Sequence, residues 1–262
     1  MLKRDGYDLK HIDNIFIPEK FEFSYLKILC LKEVVYAFGR ETTVNNQSRY
    51  FFKCYSFLNK IWKNAADMTE DIEGFCVCAF MDKIFALGGS ITGSIINSCA
   101  EYDVNGNKWR QVSSMSQGRY YASCVVFQEQ VVVSGGLAES GYYLKTNESY
   151  DVVADAWQQM PSMIESRQNH SLVAVKSKLF AIAGSNTSTC EVFDKKSEKF
   201  ATLNCPFIDY FKQALLIGSK IFVFSIGRLL CYDIDKDDWV DDKEFEGIRK
   251  AYHGDCTKID FF

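Results

Sequence analysis

The apolar residues of this chain come in short runs separated by polar turn residues. Five runs share one design, an apolar segment that breaks at a glycine: VVYAFGR (34–40), KIFALGGS (83–90), QVVVSGGL (130–137), KLFAIAGS (178–185) and KIFVFSIG (220–227). Short apolar runs bounded by glycine are typical of strands followed by turns. A phosphate-binding loop would need one G-x-x-x-x-G-K-[ST] or G-x-G-x-x-G motif, which none of the five provides. The pattern therefore predicts a repeated strand rather than a nucleotide site.

The glycines of these runs define the length of the repeat. They are separated by 50, 47, 48 and 43 residues, at Gly39, Gly89, Gly136, Gly184 and Gly227. A period of this length is typical of stacked or radially repeated units.

A pair of aromatic residues with a constant spacing of seven follows each glycine. The pairs are Tyr55 and Trp62, Tyr102 and Trp109, Tyr150 and Trp157, Phe193 and Phe200, and Tyr232 and Trp239. The residues between them include Asp, Asn, Gly and Lys, as in EYDVNGNKW, which favour turns. Each pair therefore predicts a tight hairpin that ends on a buried ring.

A further apolar segment precedes each glycine strand, so each repeat offers four short strands. Four antiparallel strands every 40 to 50 residues predict an all-β fold of β-propeller blades, in which few sheet edges are exposed. The distance from glycine to the first aromatic falls from 16 to 5 residues along the chain. This variable segment is the expected place for binding loops, because loops tolerate changes in length and strands do not.

With these landmarks, the chain resembles the Kelch repeat family over residues 23–262. The resemblance rests on the glycine pairs after the second strand, on the Tyr-Asp that opens the third and on the tryptophan of the fourth. WD40 repeats are a poorer match, because their tryptophan is followed by aspartate. The departures from the Kelch pattern are Arg40 after Gly39, Phe200 in place of tryptophan, and Ala183 and Ile226 within two glycine pairs.

The two termini raise the question of blade number. Residues 254–262 look like one more first strand, and residues 1–22, through GYDLKHI, are candidates for the outer strands of the same blade. We expect a single Kelch-type β-propeller domain over residues 1–262, with six blades of which one is composite. A five-bladed propeller is the alternative.

Composition narrows the class of protein. The 262 residues are 47% apolar and 15% aromatic, enough for a large core, and the net charge of −4 includes no basic block. We therefore expect no nucleic acid partner. No apolar run approaches the ~20 residues that span a bilayer, so we expect no membrane partner. The N-terminus lacks the apolar stretch of a signal peptide, so we expect a cytoplasmic protein whose ten cysteines are reduced.

Residues able to support catalysis are scarce. The three histidines are His11, His170 and His253, and the last two follow Arg167 and Arg249 at matching repeat positions, which favours a scaffold role. No Cys-x-x-Cys zinc spacing occurs. A copper enzyme like galactose oxidase, whose catalytic domain also has Kelch blades, would need two histidines and a cysteine-linked tyrosine. We expect no enzymatic activity, no metal and no cofactor.

Five arginines are candidate partner-binding residues. Arg119, Arg167 and Arg249 lie between the last strand of one blade and the first strand of the next, whereas Arg40 and Arg49 flank a long loop inside a blade. The resemblance implies that both loop types open on one face of the propeller. Five guanidinium groups around one entrance would suit an acidic peptide, through bidentate contacts to carboxylate or phosphate. The alternative is that each arginine pairs with a neighbouring acid as part of the repeat.

Four further residues complete the predicted surface. Tyr120 follows Arg119, Asn169 lies beside Arg167, and Tyr142 and Tyr143 stand in the loop GLAESGYYLKTN. Tyrosine and arginine are enriched where protein interfaces hold most of their energy. Packing of one of the paired tyrosines on its own blade is the alternative.

The sequence thus predicts a module that recognises a protein or a peptide. In the family it resembles, Kelch-like adaptors join such a propeller to BTB and BACK domains that engage a cullin-RING ubiquitin ligase. Because this chain begins almost at the first blade, we expect no BTB domain in it, so that it is either a fragment of an adaptor or a stand-alone Kelch protein. An actin-binding scaffold is an alternative function, and a galactose-oxidase-like enzyme is a weaker one.

Overall fold

The computed structural model describes residues 3–4, 7–8, 21–42, 48–68, 70–206, 208, 211–225 and 228–240. The chain forms two compact units. Residues 20–204 make up one of them, here called the four-blade unit, and residues 1–19 with 205–262 make up the other, here called the terminal unit. Regular structure within the described ranges consists of β-strands.

The strands are numbered in chain order. They are β1 Lys3–Arg4, β2 Tyr7–Asp8, β3 Phe21–Leu31, β4 Val34–Thr42, β5 Ser48–Ser56, β6 Ile61–Asn64, β7 Cys76–Phe80, β8 Lys83–Leu87, β9 Ser90–Ile91, β10 Ser94–Ile95, β11 Cys99–Asp103, β12 Lys108–Val112, β13 Ser123–Phe127, β14 Gln130–Ser134, β15 Asn147–Asp151, β16 Ala156–Met160, β17 Ser171–Val175, β18 Lys178–Ile182, β19 Cys190–Asp194, β20 Lys199–Leu203, β21 Phe211–Ile217, β22 Lys220–Ser225, β23 Arg228–Asp233 and β24 Asp238–Val240.

Five four-stranded antiparallel sheets form the blades of an all-β propeller fold, as the repeat predicts. Blades 1 to 4 belong to the four-blade unit and consist of β3–β6, then β7, β8, β11 and β12, then β13–β16, then β17–β20. Blade 5 consists of β21–β24 and belongs to the terminal unit. The strands of each blade, in chain order, are called a to d.

The composite sixth blade falls almost wholly outside the described residues. Of its expected parts, the structure describes only the backbone of β1 and β2, which pair with each other as a two-stranded sheet. Five blades are therefore described, and the sixth stays a prediction.

The core of the four-blade unit lies between neighbouring blades. One apolar cluster joins Phe38 and Phe52 of blade 1 to Ile84 and Tyr102 of blade 2. Similar clusters join blade 2 to blade 3 and blade 3 to blade 4. The a strands of neighbouring blades are also in contact: β7 contacts both β3 and β13, and β13 contacts β17. Burial of this apolar surface between blades is the main driving force for the folding of the four-blade unit.

The aromatic pairs are cross-strand partners of the c–d hairpins. Tyr102 lies directly opposite Trp109, and Tyr150 lies opposite Trp157, with ring centres 5.2 and 5.0 Å apart. The indole Nε1 of Trp109 donates a hydrogen bond of 2.8 Å to the carbonyl oxygen of Ala66, at the end of blade 1. The constant spacing of seven thus fixes the register of the hairpin, and the indole attaches blade 2 to blade 1.

The glycine after strand b has a structural role. Gly88 has a φ of +62°, and a methyl group on its Cα would lie 2.5 Å from the carbonyl oxygen of Arg119. The close contact leaves no room for a side chain, and the left-handed conformation disfavours one. Ala183, at the matching position of blade 4, adopts the same left-handed conformation with a φ of +48°.

Most of the described cysteines behave as small core residues. Among the nine that the structure describes, none forms a disulfide with another, and five are buried. Desolvation raises the pKa of Cys99 to about 12, so that its thiol stays protonated at neutral pH.

Candidate functional site

Two kinds of loop lie at the same end of the blades. Because the strands are antiparallel, the b–c loop within a blade and the d–a loop to the next blade emerge at one end, opposite the a–b and c–d turns. The two kinds are joined by backbone hydrogen bonds: the amide of Gly89 donates to the carbonyl of Arg119 at 2.8 Å, and that of Gly136 to Arg167 at 2.7 Å. We call the b–c and d–a loops of the four-blade unit the loop face.

Arg119 belongs to the d–a loop before blade 3, and its side chain is only 1% exposed. Its Nη1 donates to the carbonyl oxygens of Gly135 and Thr146, each at 2.9 Å. Its Nη2 donates to Oγ1 of Thr146 at 3.0 Å and to Oε1 of Glu148 at 2.9 Å. The guanidinium group is therefore held inside blade 3.

Arg167 repeats this arrangement before blade 4. Its Nη1 donates to the carbonyl oxygens of Ala183 and Thr189, at 3.0 and 2.5 Å. Its Nη2 donates to Oγ1 of Thr189 at 2.8 Å and to Oε1 of Glu191 at 2.7 Å. The carboxylate of Glu191 also accepts the backbone amide of Ile164 at 2.6 Å. The ion pair thus ties the d–a loop to strand c of the following blade.

These contacts correct the expectation that Arg119 and Arg167 present open guanidinium groups to an acidic partner. Both side chains are buried, and their charges are balanced internally by Glu148 and Glu191. The alternative, that each arginine pairs with an acid of its own repeat, describes both. Each glutamate stands two residues before the first aromatic of the spaced pair in its blade, but its contact with the arginine appears only in the fold.

The structure describes the other three predicted arginines to different extents. The guanidinium carbon of Arg40 lies 5.9 Å from the ring centre of Tyr50, which is close enough for a cation–π contact. Arg49 is opposite Glu41 in the β4–β5 ladder, and its side chain lies outside what the structure describes. Arg249 falls outside the described residues altogether.

Tyr120 is fixed in the scaffold of the loop face. It forms a two-way backbone bridge with Leu137, at 2.9 and 2.7 Å, and its side chain is half-buried. Its ring covers Gly74 so closely that a methyl group at Gly74 would overlap it. The ring therefore helps to position the preceding d–a loop.

Tyr142 and Tyr143 are exposed, at 76% and 44%. They lie in the b–c loop of blade 3. Asn169 is exposed too, with a φ of +50°, and its Nδ2 donates to Oγ of Ser185 at 3.2 Å. The predicted residues thus divide into an internal set and an exposed set.

His170 is part of the scaffold. Its ring is buried, with Nε2 3.2 Å from Oγ of Ser134. Desolvation, together with the charge of Arg167, lowers its pKa to about 3, so that the ring is neutral at physiological pH. His253, its expected counterpart, lies outside the described residues.

A pocket of about 290 Å³ lies on the loop face, and no sequence pattern predicted it. Its walls come from the b–c side of blade 1, through Gly39 and Tyr50, and from the d–a loop before blade 2, residues 70–74. Tyr121 of the next d–a loop completes it. The pocket belongs wholly to the four-blade unit.

Four of the residues that line the pocket are acidic: Asp67, Glu70, Asp71 and Glu73. Among the described residues of the lining, Lys27 is the only basic one. The acids are adjacent in sequence in DMTEDIE (67–73), so a local charge count would have revealed them, whereas the aromatic walls could be seen only in the fold. The pocket is therefore negatively charged.

In the ranges that the structure describes, no group of three or more His, Cys, Asp or Glu side chains is placed to hold a metal ion. The same ranges hold no helix with the length and apolar character needed to cross a membrane.

Comparisons with known proteins agree with the architecture. The Kelch motif matches residues 73–116 and 118–164, which contain all the strands of blades 2 and 3. Kelch-like protein 23 of Homo sapiens is 28% identical over 121 residues, or 45% of this chain, and that of Mus musculus is 29% identical over a segment of the same length. The match spans about a fifth, 21%, of each relative's own length. The chain thus has a β-propeller fold with Kelch motifs in blades 2 and 3, and it resembles the Kelch-like proteins.

Proposed function

We propose that the loop face is a protein-recognition surface. The observation that carries the proposal is the pair of exposed tyrosines, Tyr142 and Tyr143, on the b–c loop of blade 3. Tyrosine offers a large amphipathic contact area at a small entropic cost, and such residues dominate many interfaces. Exposed large aromatic side chains at the loop end of a rigid scaffold suit that role.

The loop that carries these tyrosines is ordered before any partner binds. The amide of Ala138 donates to the carbonyl of Tyr142 at 3.0 Å, and the amide of Leu144 donates to that of Gly136 at 2.8 Å. The carboxylate of Glu139 accepts the backbone amide of Ile95, in the neighbouring blade, at 2.7 Å. A loop held in this way loses little entropy on binding, which supports a recognition role.

Within this function, we infer that the chain selects substrates for a cullin-RING ubiquitin ligase in the cytoplasm. The support is the resemblance to Kelch-like proteins, in which the propeller is joined to BTB and BACK domains. The interaction module has no catalytic role of its own in this proposal. An actin-binding scaffold is the second candidate, on the same resemblance, and predicts cosedimentation with filaments.

The recognition surface can be tested with a matched pair of variants. Tyr142→Ala with Tyr143→Ala removes the exposed aromatics of the loop face. Leu58→Ala with Val153→Ala removes exposed apolar side chains, 83% and 87% exposed, from the c–d turns at the opposite end of the blades. After equal thermal melts are verified, proteins captured from lysate are quantified by mass spectrometry and their contacts mapped by cross-linking.

We expect partners to cross-link to the loop face, to be retained by the c–d variant and to be lost with the tyrosine variant. If partners are lost with the c–d variant alone, the recognition surface lies at the other end of the blades. For the adaptor role, expression of the whole protein should shorten the half-life of a captured partner. Inhibition of cullin-RING ligases should restore it, and an unchanged half-life would refute that role.

A further inference from the structure

The acidic pocket of the loop face has an aromatic interior. Phe38, Phe51, Phe52 and Phe75 contribute largely buried rings, each no more than 8% exposed, and Tyr121 is half-buried. Aromatic faces carry partial negative charge and attract cations. A volume of about 290 Å³ lies just below the range of roughly 300–1,000 Å³ that ligand pockets have. It suits one long side chain better than a large cofactor.

The carboxylates at the rim are available to a ligand. Asp67, Glu70 and Asp71 are exposed, and no described residue forms an ion pair with any of them. Glu73 is half-buried and oriented by the hydroxyl of Tyr50, which donates a hydrogen bond to its Oε1. The rim therefore combines three solvated carboxylates with one fixed carboxylate.

This charge is a departure from the repeat. The d–a loops before blades 2, 3 and 4 align through a left-handed residue at Gly74, Tyr121 and Asn169. In that alignment, three of the four acids replace uncharged residues of both other loops. Asp67 corresponds to Ser114 and Ser162, Asp71 to Gly118 and Ser166, and Glu73 to Tyr120 and Gln168. The scaffold therefore does not require these carboxylates.

The same loop lacks the internal ion pair of its counterparts. Ile72 stands where the other two loops have Arg119 and Arg167, and Ala100 stands where strand c has Glu148 and Glu191. The d–a loop before blade 2 thus has neither the buried arginine nor its buried glutamate. Its charge is concentrated on the pocket rim instead.

We propose that this pocket binds the side chain of an arginine or a lysine of the partner protein, an inference that rests on the loop face being the recognition surface. The stem of the side chain packs between the aromatic rings, and its charged end meets the carboxylates of Asp67, Glu70 and Asp71. Charge complementarity selects this occupant, because the described part of the lining holds four acids and one lysine. The partner segment is therefore basic at this position, in contrast to the acidic peptide expected from the arginines.

The test uses a display library of randomised peptides selected against the whole chain. A neutral-rim variant carries Asp67→Asn, Glu70→Gln and Asp71→Asn, which keep shape and remove charge. A control variant carries Glu129→Gln, Glu198→Gln and Asp235→Asn, which remove three exposed charges from a–b and c–d turns. Equal thermal melts establish that all three proteins fold.

We expect the native chain and the control to enrich peptides with arginine or lysine at one position, and the neutral-rim variant to lose that enrichment. A synthetic peptide with citrulline in place of that arginine should bind at least about tenfold more weakly, because citrulline keeps the shape without the charge. The enrichment should also weaken as salt is added.

Three results would overturn the inference. One is enrichment of basic residues by all three proteins alike, and another is selection of peptides without a basic residue. The third is binding of N-acetylarginine amide as tightly as the peptide, which would make the pocket a site for a small cation. Peptides that lack a basic residue but need Tyr142 and Tyr143 would refute the pocket and leave the recognition function standing.

Discussion

The guanidinium group of Arg119 and the carboxylate of Glu148 form an ion pair of 2.9 Å, with both side chains 1% exposed. The backbone carbonyl of the same arginine accepts the amide of Gly89, in blade 2. One residue therefore holds two blades, through its backbone on one side and its side chain on the other. Arg167 and Glu191 repeat this junction at 2.7 Å.

The first prediction concerns this junction. Arg119→Ile leaves the carboxylate of Glu148 buried without its cation, and we expect a loss of about 3–5 kcal/mol in the free energy of unfolding. The double variant with Glu148→Ala should recover about 2 kcal/mol or more of that loss, because no unpaired charge remains. Blade 2 already has Ile72 and Ala100 at these positions. The measurement is urea denaturation followed by circular dichroism.

In that double-mutant cycle, losses that simply add would show that the two side chains act independently.

The same experiment bears on partner capture. Substitution of Arg119 or Arg167 by alanine should reduce binding only by unfolding the junction, so a variant that melts like the native chain but loses its partner would return these arginines to the recognition surface.

The second prediction compares two matching positions after strand b. Gly88→Ala forces a methyl group against the carbonyl of Arg119 and a left-handed conformation on alanine, so we expect a loss of at least about 2 kcal/mol. Ala183→Gly relieves such a conformation and should change stability by about 1 kcal/mol or less. Midpoints of chemical denaturation measure both. Equal effects of the two substitutions would contradict the structural role of the glycine.

The third prediction concerns pH. The pKa of His170 is about 3 in the folded chain and 6.5 for the free group, so between these values the unfolded chain binds a proton that the folded chain does not. Its contribution to stability is complete above pH 6.5 and falls by about 1.4 kcal/mol per pH unit as the pH drops towards 3. His170→Gln should make the decline between pH 7 and 5 shallower by about 2 kcal/mol.

Urea titrations of the native chain and His170→Gln at pH 7, 6 and 5 measure this difference. His11 and His253 are common to both proteins, so their titration cancels. Parallel pH dependences in the two proteins would mean that the ring of His170 is accessible to protons in the folded state.

The fourth prediction concerns the attachment of one blade to the next. Trp109→Phe keeps most of the ring packing and loses the hydrogen bond to Ala66, so we expect a loss of about 1–2 kcal/mol. Trp109→Ala also loses the packing with Tyr102 and should cost about 3–5 kcal/mol. Thermal denaturation of the two variants ranks the effects. Equal losses would show that the indole Nε1 carries the whole contribution.

Much of the scaffold could be predicted from the sequence, because its signals are local and repeated. The spacing of Tyr102 and Trp109 predicted a c–d hairpin, and the structure pairs the two residues directly. The break after Leu87 predicted a turn, and Gly88 adopts the left-handed conformation there. Repeated spacing reports backbone geometry, since every copy of a blade must satisfy the same hydrogen bonds and the same packing.

The state of individual polar side chains could not be predicted in this way. The positions of Arg119 and Arg167 in the sequence predicted a charged rim. Only the fold brings the acidic partners into contact with them, Glu148 at 29 and Glu191 at 24 residues further along the chain. The direction of a side chain depends on residues distant in sequence, and its cost of burial depends on the partners that they supply.

The sequence by itself determined the strand pattern, the period and the Kelch resemblance, because these follow from short-range spacing. Only the tertiary structure decided which charges are available. It buries the arginines of two d–a loops in internal ion pairs, and it places the carboxylates of 67–73 around an aromatic pocket. The physical reason is that electrostatic availability is a property of the packed surface, where burial and distant partners decide whether a charge is balanced or free to bind.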